Sequence, residues 1–353
     1  MARHSIAVIA GDGAGPEVVA EALKVLRAAS EVSESLELDF EMYPWGSKYY
    51  LERGRVMPED GAEQLRRHDA ILFGAVGDPR VPDPINQHGL ILHLRRVFDQ
   101  YVNERPVYLF PGVRSPLADK KPGEIDMVVV RENTEGEYAD VGGVLYAGTP
   151  QELAIQTGVF TRRGTERVVR YAFELARRRG GKRRVTSVSK CNVQRFSMAL
   201  WDRVFWEVAR DYSDIEANAY LIDAAAMNFV RKPEEFDVVV ASNLFGDILT
   251  DLSAAIAGGL GLAPGANICP ERTHPSMFEP IHGSAPDIAG RGIANPLGAI
   301  LAGQMMLEFL GEEKAARLVR EAITENLAKG AVRTPDLAGT SSTSAVGDDV
   351  VRI

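Results

Sequence analysis

Asp247 and Asp251 stand four residues apart in the segment Asn243-Leu-Phe-Gly-Asp-Ile-Leu-Thr-Asp251, a spacing that could bind a metal ion. Side chains four apart on a helix share one face, with Cβ atoms about 5–6 Å from each other. Two carboxylates this close repel unless a cation lies between them, and their hard oxygen atoms favour Mg²⁺ or Mn²⁺ over zinc. Acidic residues are also common at an ordinary helix start, where the helix dipole stabilises them. The pair alone therefore leaves a metal site and a solvated helix start both open.

The sequence before this pair predicts where the two carboxylates lie. Residues 236–242 are rich in β-branched side chains, as expected for a strand buried in a parallel sheet. We interpret Gly246 as the turn into the helix, which would place both aspartates in its first turn. Open α/β sheets bind ligands beyond the carboxyl ends of their strands. The predicted position therefore suits a ligand site.

Other polar side chains follow other predicted strands. They are Arg131 with Tyr138 after a strand over 126–130, Lys190 with Asn192 after a strand over 184–188, and Asp223 after a third strand, joined by Arg95 and Arg105 upstream. Arginines clamp carboxylates, and a metal ion held by aspartates can bridge the remaining oxygen atoms of the same ligand. The set therefore predicts a site for a dicarboxylate that is bound through a metal ion.

Strands and helices alternate along the chain of 353 residues, a length typical of two domains. A first strand over 5–10 is followed by Gly11-Asp-Gly-Ala-Gly-Pro16 and a helix over 17–30. The alternation predicts a largely parallel sheet with helices on both faces. The glycines fail the dinucleotide-binding spacing, because Pro16 stands where the last glycine is required. A standard Rossmann fold is therefore disfavoured.

Composition and charge narrow the possible partners. The net charge of −9 argues against a nucleic-acid partner, and we interpret the basic cluster at 177–184 as a solvated helix end followed by glycines. No apolar run reaches the ~18 residues of a membrane span, and no signal peptide precedes the first strand. We therefore expect a cytoplasmic protein without a membrane partner. Two cysteines, Cys191 and Cys269, exclude a disulfide framework and a cysteine-based metal site.

Over essentially its whole length the chain resembles the metal-dependent β-decarboxylating dehydrogenases, the family of isopropylmalate, isocitrate and tartrate/D-malate dehydrogenases. The segments that carry the resemblance are, in order, 11–17, Arg95, Arg105, 131–138, 190–192, Asp223, 243–251 and 279–296. The resemblance implies an α/β fold, the isopropylmalate/isocitrate dehydrogenase-like fold, with two α/β domains and parallel or mixed sheets. It implies a discontinuous NAD-binding domain over 1–97 plus 250–353. The smaller domain, 98–249, would carry the dimer interface and a clasp-like arm at about 136–155.

The resemblance also implies roles for individual residues. Catalysis falls to Lys190 as the base and Tyr138 as the acid. The implied substrate-binding residues are Arg95, Arg105, Arg131, Asn192, Asp223, Leu90 and Ile91. The implied ligands of Mg²⁺ or Mn²⁺ are Asp223, Asp247 and Asp251. Cofactor binding falls to Gly74, Ala75, His282, Gly283, Ser284, Ala285, Asp287, Ile288 and Asn295. Lys190, Asn192 and Asp223 are implied to reach into the site of a second copy, so a homodimer with shared active sites is expected. A requirement for K⁺ is left open.

The choice of cofactor is implied by the pair Asp287-Ile288. NADP-using isocitrate dehydrogenases carry lysine and tyrosine at the matching positions. An aspartate there accepts hydrogen bonds from the ribose hydroxyls and repels a 2′-phosphate, which favours NAD.

The choice of substrate depends on the segment 89–95. It holds one residue more than the matching stretch of isopropylmalate dehydrogenases and resembles the tartrate/D-malate branch, although His88 and His93 depart from that branch. We therefore expect oxidative decarboxylation of D-malate or tartrate. Leu90 and Ile91 could equally form an apolar pocket for an isopropyl group, so 3-isopropylmalate or another 3-substituted malate stays as an alternative.

Two other protein classes were weighed against an enzyme of this kind. Prenyl diphosphate synthases also carry two aspartates four apart, but their fold is all-helical, whereas a buried strand precedes the pair here. A non-catalytic regulatory subunit of the same fold is the more serious alternative. Such subunits lose catalytic residues, and this chain keeps Tyr138, Lys190 and all three aspartates, which favours an active enzyme.

Overall fold

The computed structural model describes residues 2–33 and 35–353. The strands are β1 Ala2–Gly11, β2 Leu36–Met42, β3 Ala70–Ala75, β4 Val102–Tyr108, β5 Asp126–Glu132, β6 Gly136–Leu145, β7 Leu153–Val159, β8 Arg184–Ser189, β9 Glu216–Leu221, β10 Val238–Ala241, β11 Pro264–Ile268 and β12 Ser276–Pro280. The α-helices are α1 Gly15–Ser33, α2 Ser47–Arg53, α3 Gly61–Leu65, α4 Asp83–Asn86, α5 Leu92–Val97, α6 Arg162–Arg179, α7 Ser197–Ala209, α8 Ile222–Arg231, α9 Asn243–Ile256, α10 Leu297–Leu310, α11 Glu313–Lys329 and α12 Thr343–Arg352. A π-helical turn, Gln87–Ile91, separates α4 from α5, and short 3₁₀ turns lie at Pro233–Glu235, Leu260–Leu262 and Pro335–Leu337.

The chain divides into two compact units. Unit 1 comprises Met1–Gln100, Arg105–Ile125 and Ala254–Ile353, and unit 2 comprises Tyr101–Glu104 and Asp126–Ser253. Within residues 2–33 and 35–353, no helix combines the length and the apolar character that a membrane span requires.

Unit 1 contains strands in the order β2-β1-β3-β12-β11. The neighbours from β2 to β12 are parallel, and β11 is antiparallel to β12, so this part of the sheet is mixed. The central strand β3 is buried throughout, as the apolar run at 70–73 predicts. Helices α1 and α10 lie against these strands and against each other, and α10 is buried almost along its whole length. The predicted mixture of parallel and antiparallel pairing is confirmed.

Unit 2 contains a second run of strands, β5-β10-β8-β9, which are parallel to one another. The strands β6 and β7 form a separate antiparallel hairpin whose residues are mostly exposed. Helix α6 packs on β5 and β10 and ends at Arg179, where Gly180 takes a left-handed conformation. The basic cluster at 177–184 is therefore a helix end, as predicted.

One helix start differs from the prediction. Helix α9 begins at Asn243, three residues before Gly246, and the amide of Gly246 already donates to the carbonyl of Ser242 at 2.8 Å. A Cβ on Gly246 would lie 2.6 Å from the Cβ of Arg131. Glycine is required at this position because the helix crosses Arg131 closely, and it does not serve as a turn. Asp247 therefore lies in the second turn of α9, one turn further along than expected.

Candidate active site

The polar segments predicted from the sequence follow adjacent parallel strands of unit 2. Ala241 of β10 pairs with Arg131 of β5 on one side and with Val188 of β8 on the other. Ser189 of β8 pairs in turn with Leu221 of β9. The residues after these positions therefore emerge at the same edge of the sheet, as parallel pairing requires. The prediction that these segments share the carboxyl edge is confirmed for β5, β8, β9 and β10.

Arg131 is held in a fixed orientation at the end of β5. Its side chain is only 2% exposed, and its Nε and Nη2 donate to Oδ1 of Asn243 at 3.0 and 2.7 Å. Asn243 is fixed in turn, because its amide nitrogen donates to the carbonyl of Glu135 at 3.0 Å. The remaining nitrogen, Nη1, donates to Oδ1 of Asp247. A buried guanidinium with these partners is a rigid donor, suited to bind a carboxylate of a ligand.

Asp247 accepts hydrogen bonds from two other predicted site residues, Arg131 and Tyr138. The hydroxyl of Tyr138 donates to Oδ2 of Asp247 at 2.9 Å, while Arg131 donates to Oδ1. The guanidinium carbon of Arg131 lies 5.2 Å from the centre of the Tyr138 ring, a cation–π distance. The side chain of Asp247 remains 38% exposed. The three residues therefore form one cluster around a carboxylate that a ligand can still reach.

Lys190 and Asp223 form a second polar pair in unit 2. Lys190 follows β8, Asp223 is the second residue of α8 after β9, and Nζ of Lys190 donates to Oδ1 of Asp223 at 2.6 Å. This hydrogen bond lowers the pKa of the Asp223 carboxyl. Asp223 is nonetheless 67% exposed. Asn192, two residues after Lys190, is also exposed.

The three predicted metal ligands do not assemble within one chain. Asp247 and Asp251 lie on the same helix, and Asp251 is exposed. Within the described part of the chain, no three His, Cys, Asp or Glu side chains lie close enough to hold a metal ion. Asp223 follows β9, whereas Asp247 and Asp251 lie on the helix after β10, and β8 lies between these two strands.

Glu132 is a buried carboxyl next to Arg131 that the sequence reasoning did not single out. It is 2% exposed and accepts hydrogen bonds from the amide and hydroxyl of Thr134 at 2.9 and 3.0 Å and from the amide of Glu135 at 3.0 Å. Burial raises the pKa of Glu132 to about 7, because the loss of water outweighs these hydrogen bonds. Its burial could not be read from the sequence, since the segment 131–138 is rich in polar residues.

The raised pKa of Glu132 predicts a dependence of stability on pH. The folded protein binds this proton more tightly than the unfolded chain, so the contribution of Glu132 falls as pH rises from about 4.5 to about 7. With Glu132→Gln this loss should disappear. From pH of about 4.5 to about 7, the free energy of unfolding of the variant should therefore rise by about 3 kcal/mol relative to that of the natural protein. Urea unfolding at both pH values measures the difference, with exposed Glu124→Gln as control. A difference between the two proteins that does not change with pH would contradict the raised pKa.

Arg95 and Arg105 are buried in unit 1. Nη2 of Arg95 donates to Oε1 of Glu279 at 3.1 Å, and the side-chain amide of Asn267 donates to the same oxygen at 2.8 Å. The Nε of Arg95 is buried without an acceptor among the described residues. Such an unpaired donor is costly in a folded protein and is expected to find a partner in a ligand. Glu279 thus orients Arg95 within unit 1.

The segment before Arg95 turns its apolar side chains inward. Leu90 and Ile91 are 0% and 9% exposed and belong to a hydrophobic cluster of unit 1 that also contains Trp45. His88 and His93 are exposed instead. The π-helical turn at Gln87–Ile91 widens the helix by one residue.

A cavity of about 260 Å³ opens in unit 1 beside the loop that follows β12. Its lining includes four of the predicted cofactor residues, His282, Ala285, Ile288 and Asn295. Burial lowers the pKa of His282, and its Nδ1 contacts the carbonyl of Gly283 at 3.0 Å. Because a carbonyl only accepts, Nδ1 carries the proton, so Nε2 of the neutral ring is an acceptor. Nε2 is buried without a partner within the described residues.

The cavity also contains residues that the sequence reasoning missed. They are Ala14, Gly261, Ile293, Ala294, Pro335 and Asp336. Asp336 accepts a hydrogen bond from the side-chain amide of Asn295 at 2.9 Å, which fixes the amide orientation. Most of these residues are small or apolar, so neither charge nor spacing marks them in the sequence. Asp336 carries a charge but lies 41 residues from Asn295, and only the fold brings the two together.

The other predicted cofactor residues occupy different positions. Asp287 and Gly283 are exposed on the loop, whereas Ser284 is buried and its carbonyl accepts from the amide of Ala14 at 2.8 Å. Gly74 and Ala75 lie inside β3, where a Cβ on Gly74 would come within 2.2 Å of the carbonyl of Ala10. Gly74 therefore permits close packing of β1 against β3, and its predicted role toward a cofactor stays a prediction.

Comparison with known proteins agrees with this arrangement. Residues 5–350 match the isocitrate/isopropylmalate dehydrogenase family. The chain is 52% identical over 360 residues to D-malate dehydrogenase (decarboxylating) of Escherichia coli K12, covering 100% of this chain and 99% of the relative. It is also 52% identical over 347 residues to 3-isopropylmalate dehydrogenase of Thermobifida fusca YX, covering 98% and 96% of the two chains.

Other relatives point the same way. The probable tartrate dehydrogenase/decarboxylase of Bacillus subtilis 168 is 49% identical over 351 residues and is covered to 98%, against 99% of this chain. Among solved structures, isocitrate dehydrogenase from Methylococcus capsulatus superposes with a TM-score of 0.89 at 38% identity, over 99% of this chain and 98% of that one. The predicted family and fold are therefore confirmed. The chain belongs to the isocitrate/isopropylmalate dehydrogenase family and is an oxidoreductase of the decarboxylating kind.

Proposed function

We propose that the protein catalyses the NAD-dependent and divalent-metal-dependent oxidative decarboxylation of a 2-hydroxy dicarboxylate, with D-malate or tartrate as substrate. The observation that carries the proposal is the Asp247 carboxylate, which contacts both Arg131 and Tyr138 and is still partly exposed. Asp247 would bind the metal ion, Arg131 would bind a carboxylate of the substrate, and Tyr138 would donate a proton. Asp247 is in contact with both of the other two side chains. This is the set that the reaction needs around its substrate.

Arg131 and Tyr138 have distinct tasks in this proposal. Arg131 binds a substrate carboxylate, since its guanidinium is rigidly held by Asn243. Tyr138 donates a proton to the carbon that loses carbon dioxide, and its hydroxyl is already oriented by Asp247. In its neutral amine form Lys190 accepts the proton of the substrate hydroxyl, and the neighbouring Asp223 carboxylate stabilises the ammonium group that results.

The carboxylates of unit 2 fit a hard divalent cation. Asp223, Asp247 and Asp251 offer only oxygen atoms, which are the ligands that Mg²⁺ and Mn²⁺ prefer. When bound, such an ion polarises the substrate hydroxyl and stabilises the negative charge left by decarboxylation.

A homodimer with shared sites is part of this proposal, and the placement of the aspartates after different strands supports it. Asp223 and Lys190 would complete the site of a second copy, whose Asp247 and Asp251 hold the same ion. Unit 2 also offers apolar surface for such a contact. The exposed side chains on the hairpin β6-β7 are Val141, Val144, Leu145, Leu153 and Ile155, and helix α8 exposes Met227 and Val230. A two-stranded hairpin is marginal by itself and gains stability when its apolar residues are covered.

The cavity of unit 1 supports NAD as the cofactor. The unpaired Nε2 of His282 is a buried acceptor beside apolar residues, which suits the amino group of an adenine ring. Asp287 is exposed on the same loop, where a carboxylate can accept from ribose hydroxyls and repel a 2′-phosphate. When bound, NAD accepts the hydride from C2 of the substrate.

Burial of Leu90 and Ile91 supports D-malate or tartrate as the substrate. Both side chains belong to the core cluster of unit 1, which leaves little of their apolar surface exposed for an isopropyl group. The exposed side chains of the segment, His88 and His93, are polar and would suit a hydrogen or hydroxyl on C3. The second candidate is 3-isopropylmalate, which the equally similar Thermobifida fusca relative favours.

A substrate panel tests the proposal directly. We expect formation of NADH with D-malate or tartrate in the presence of Mn²⁺, with kcat/KM at least about tenfold above that for 3-isopropylmalate and isocitrate, since one alkyl group is worth about 1–3 kcal/mol in a fitted pocket. The same assay with NADP should be much slower, and chelation of the metal ion should stop the reaction. Preference for 3-isopropylmalate would establish the second candidate. No turnover with any substrate of the panel would instead support a regulatory subunit.

A further inference from the structure

The loop from His282 to Gly292 forms one wall of the cavity in unit 1, and hydrogen bonds hold it at both ends, including one from the amide of Thr343 to the carbonyl of Gly292 at 2.8 Å. At its start, the carbonyl of Ser284 accepts from the amide of Ala14, the residue before α1. Gly13 adjoins this contact, and a Cβ there would lie 2.0 Å from the carbonyl oxygen of Ser284. The glycines that resemble a dinucleotide fingerprint therefore pack behind the loop.

Glu17 anchors the other end of the same loop. It lies in the first turn of α1 and is half-buried. Its Oε1 accepts from the amide of Gly290, and its Oε2 accepts from the amide of Gly292 at 2.9 Å. Both glycines adopt positive φ, 75° and 63°, which directs two amides of one turn toward the same carboxylate. Hydrogen bonds from amides to an ionised carboxylate are stronger than those between neutral groups.

These anchors bracket the residues that form the cavity wall. Ala285 and Ile288 lie between Ser284 and Gly290, and within this stretch the amide of Ile288 donates to the carbonyl of Ala285 at 3.1 Å. Glu17 itself is not part of the cavity lining. The two hydrogen bonds of Glu17 can therefore act on a ligand in the cavity through the loop that they hold.

We propose that Glu17 is a positioning residue for the dinucleotide, because its carboxylate fixes the turn 290–292 and thereby the loop that forms the cofactor wall. The proposal rests on the proposed role of this cavity in NAD binding. A loop that is fixed before binding loses less conformational freedom when the cofactor binds, so affinity is higher. Glu17, one of the two acidic residues in the segment 11–17, thus serves the cofactor from behind the loop.

The test compares Glu17→Gln with Glu21→Gln. Glutamine keeps the length of the side chain but removes the charge and one of the two acceptors. Glu21 lies one turn further along α1, is also buried, and contacts Lys24 at 2.5 Å. With Glu17→Gln we expect KM for NAD, and Kd for NAD measured by fluorescence without substrate or metal, to rise about tenfold. We expect kcat at saturating NAD to stay within about twofold. Glu21→Gln should leave all three quantities unchanged.

Several outcomes would overturn the proposal, and they differ from failure of the proposed function. Unchanged affinity of Glu17→Gln for NAD, when the natural protein binds it, removes the positioning role alone. A fall in kcat with unchanged KM would show a structural role unrelated to the cofactor. If the natural protein prefers NADP, the same tenfold loss is expected for NADP. Failure of the natural protein to bind either dinucleotide would overturn both the cofactor site and the role of Glu17. If Glu17→Gln does not fold, Glu17→Asp replaces it, because aspartate keeps the charge but its shorter side chain weakens the two hydrogen bonds. The same rise in Kd for NAD is then expected.

Discussion

Replacement of Asp247 by asparagine should lower kcat by about a thousandfold, which corresponds to about 4 kcal/mol of transition-state stabilisation. The carboxamide keeps the shape of the side chain, and its single oxygen can still accept from Arg131, but its nitrogen cannot accept from Tyr138 and the charge that binds the cation is lost. Titration of activity with Mn²⁺ checks the mechanism, because saturation should shift to a much higher concentration or vanish.

A matched control separates loss of the site from loss of an ion pair. Asp214 also contacts an arginine, in this case Arg177 at 2.6 and 3.0 Å from its two oxygens, but the pair lies at the surface of unit 2. Asp214→Asn should leave kcat and the metal requirement unchanged, since an exposed pair contributes about 0–1 kcal/mol to stability. Circular dichroism should show that both variants fold. Metal-dependent turnover that survives in Asp247→Asn would remove Asp247 from the proposed ligand set.

The second large effect is expected from combining chains with different defects. Lys190→Ala should lower kcat by about a thousandfold, because the base for the substrate hydroxyl is lost. If Lys190 serves the site that contains Asp247 of a second copy, a mixed dimer of Lys190→Ala with Asp247→Asn has one site with both residues intact. Mixed dimers purified through two different tags should then recover about half of the natural activity. Each variant alone should stay inactive.

A different mixed dimer provides the control for this experiment. Asp247 and Asp251 lie on the same helix, α9, so both are expected to serve a single site from one chain. A dimer that combines Asp247→Asn with Asp251→Asn therefore has one defect in each site and should remain inactive. Recovery in this control, or no recovery with Lys190→Ala, would contradict the proposed sharing of sites.

Helices and strands were easier to predict from the sequence than the contacts between them. The predicted strands at 236–242, 126–130 and 184–188 agree within about two residues with β10, β5 and β8. Such elements follow from periodicity in neighbouring residues, which is local information. The start of α9 was misplaced because Gly246 resembles a turn residue, whereas it is needed for the approach to Arg131, 115 positions earlier in the chain.

Contacts within the candidate site show the same limit. The types of residue at 131, 138 and 247 were recognised from the sequence, but their mutual contact depends on β5 lying beside β10. Strand order is set by packing across the whole sheet, and alternation of strands and helices is compatible with several orders. The burial of Leu90 and Ile91 was equally undetermined, because an apolar segment can line a pocket or enter a core.

The sequence by itself determined the chemistry that is available: three aspartates, three arginines, a lysine and a tyrosine, each placed after a strand or on a helix. It also determined that Asp247 and Asp251 share a helical face, because that follows from the helix repeat alone. Only the tertiary structure decided that Asp247 contacts Arg131 and Tyr138, that Lys190 contacts Asp223, and that Asp223 lies apart from the other two aspartates. The physical reason is that these contacts join segments far apart in the chain, and their distances are fixed by strand order and packing.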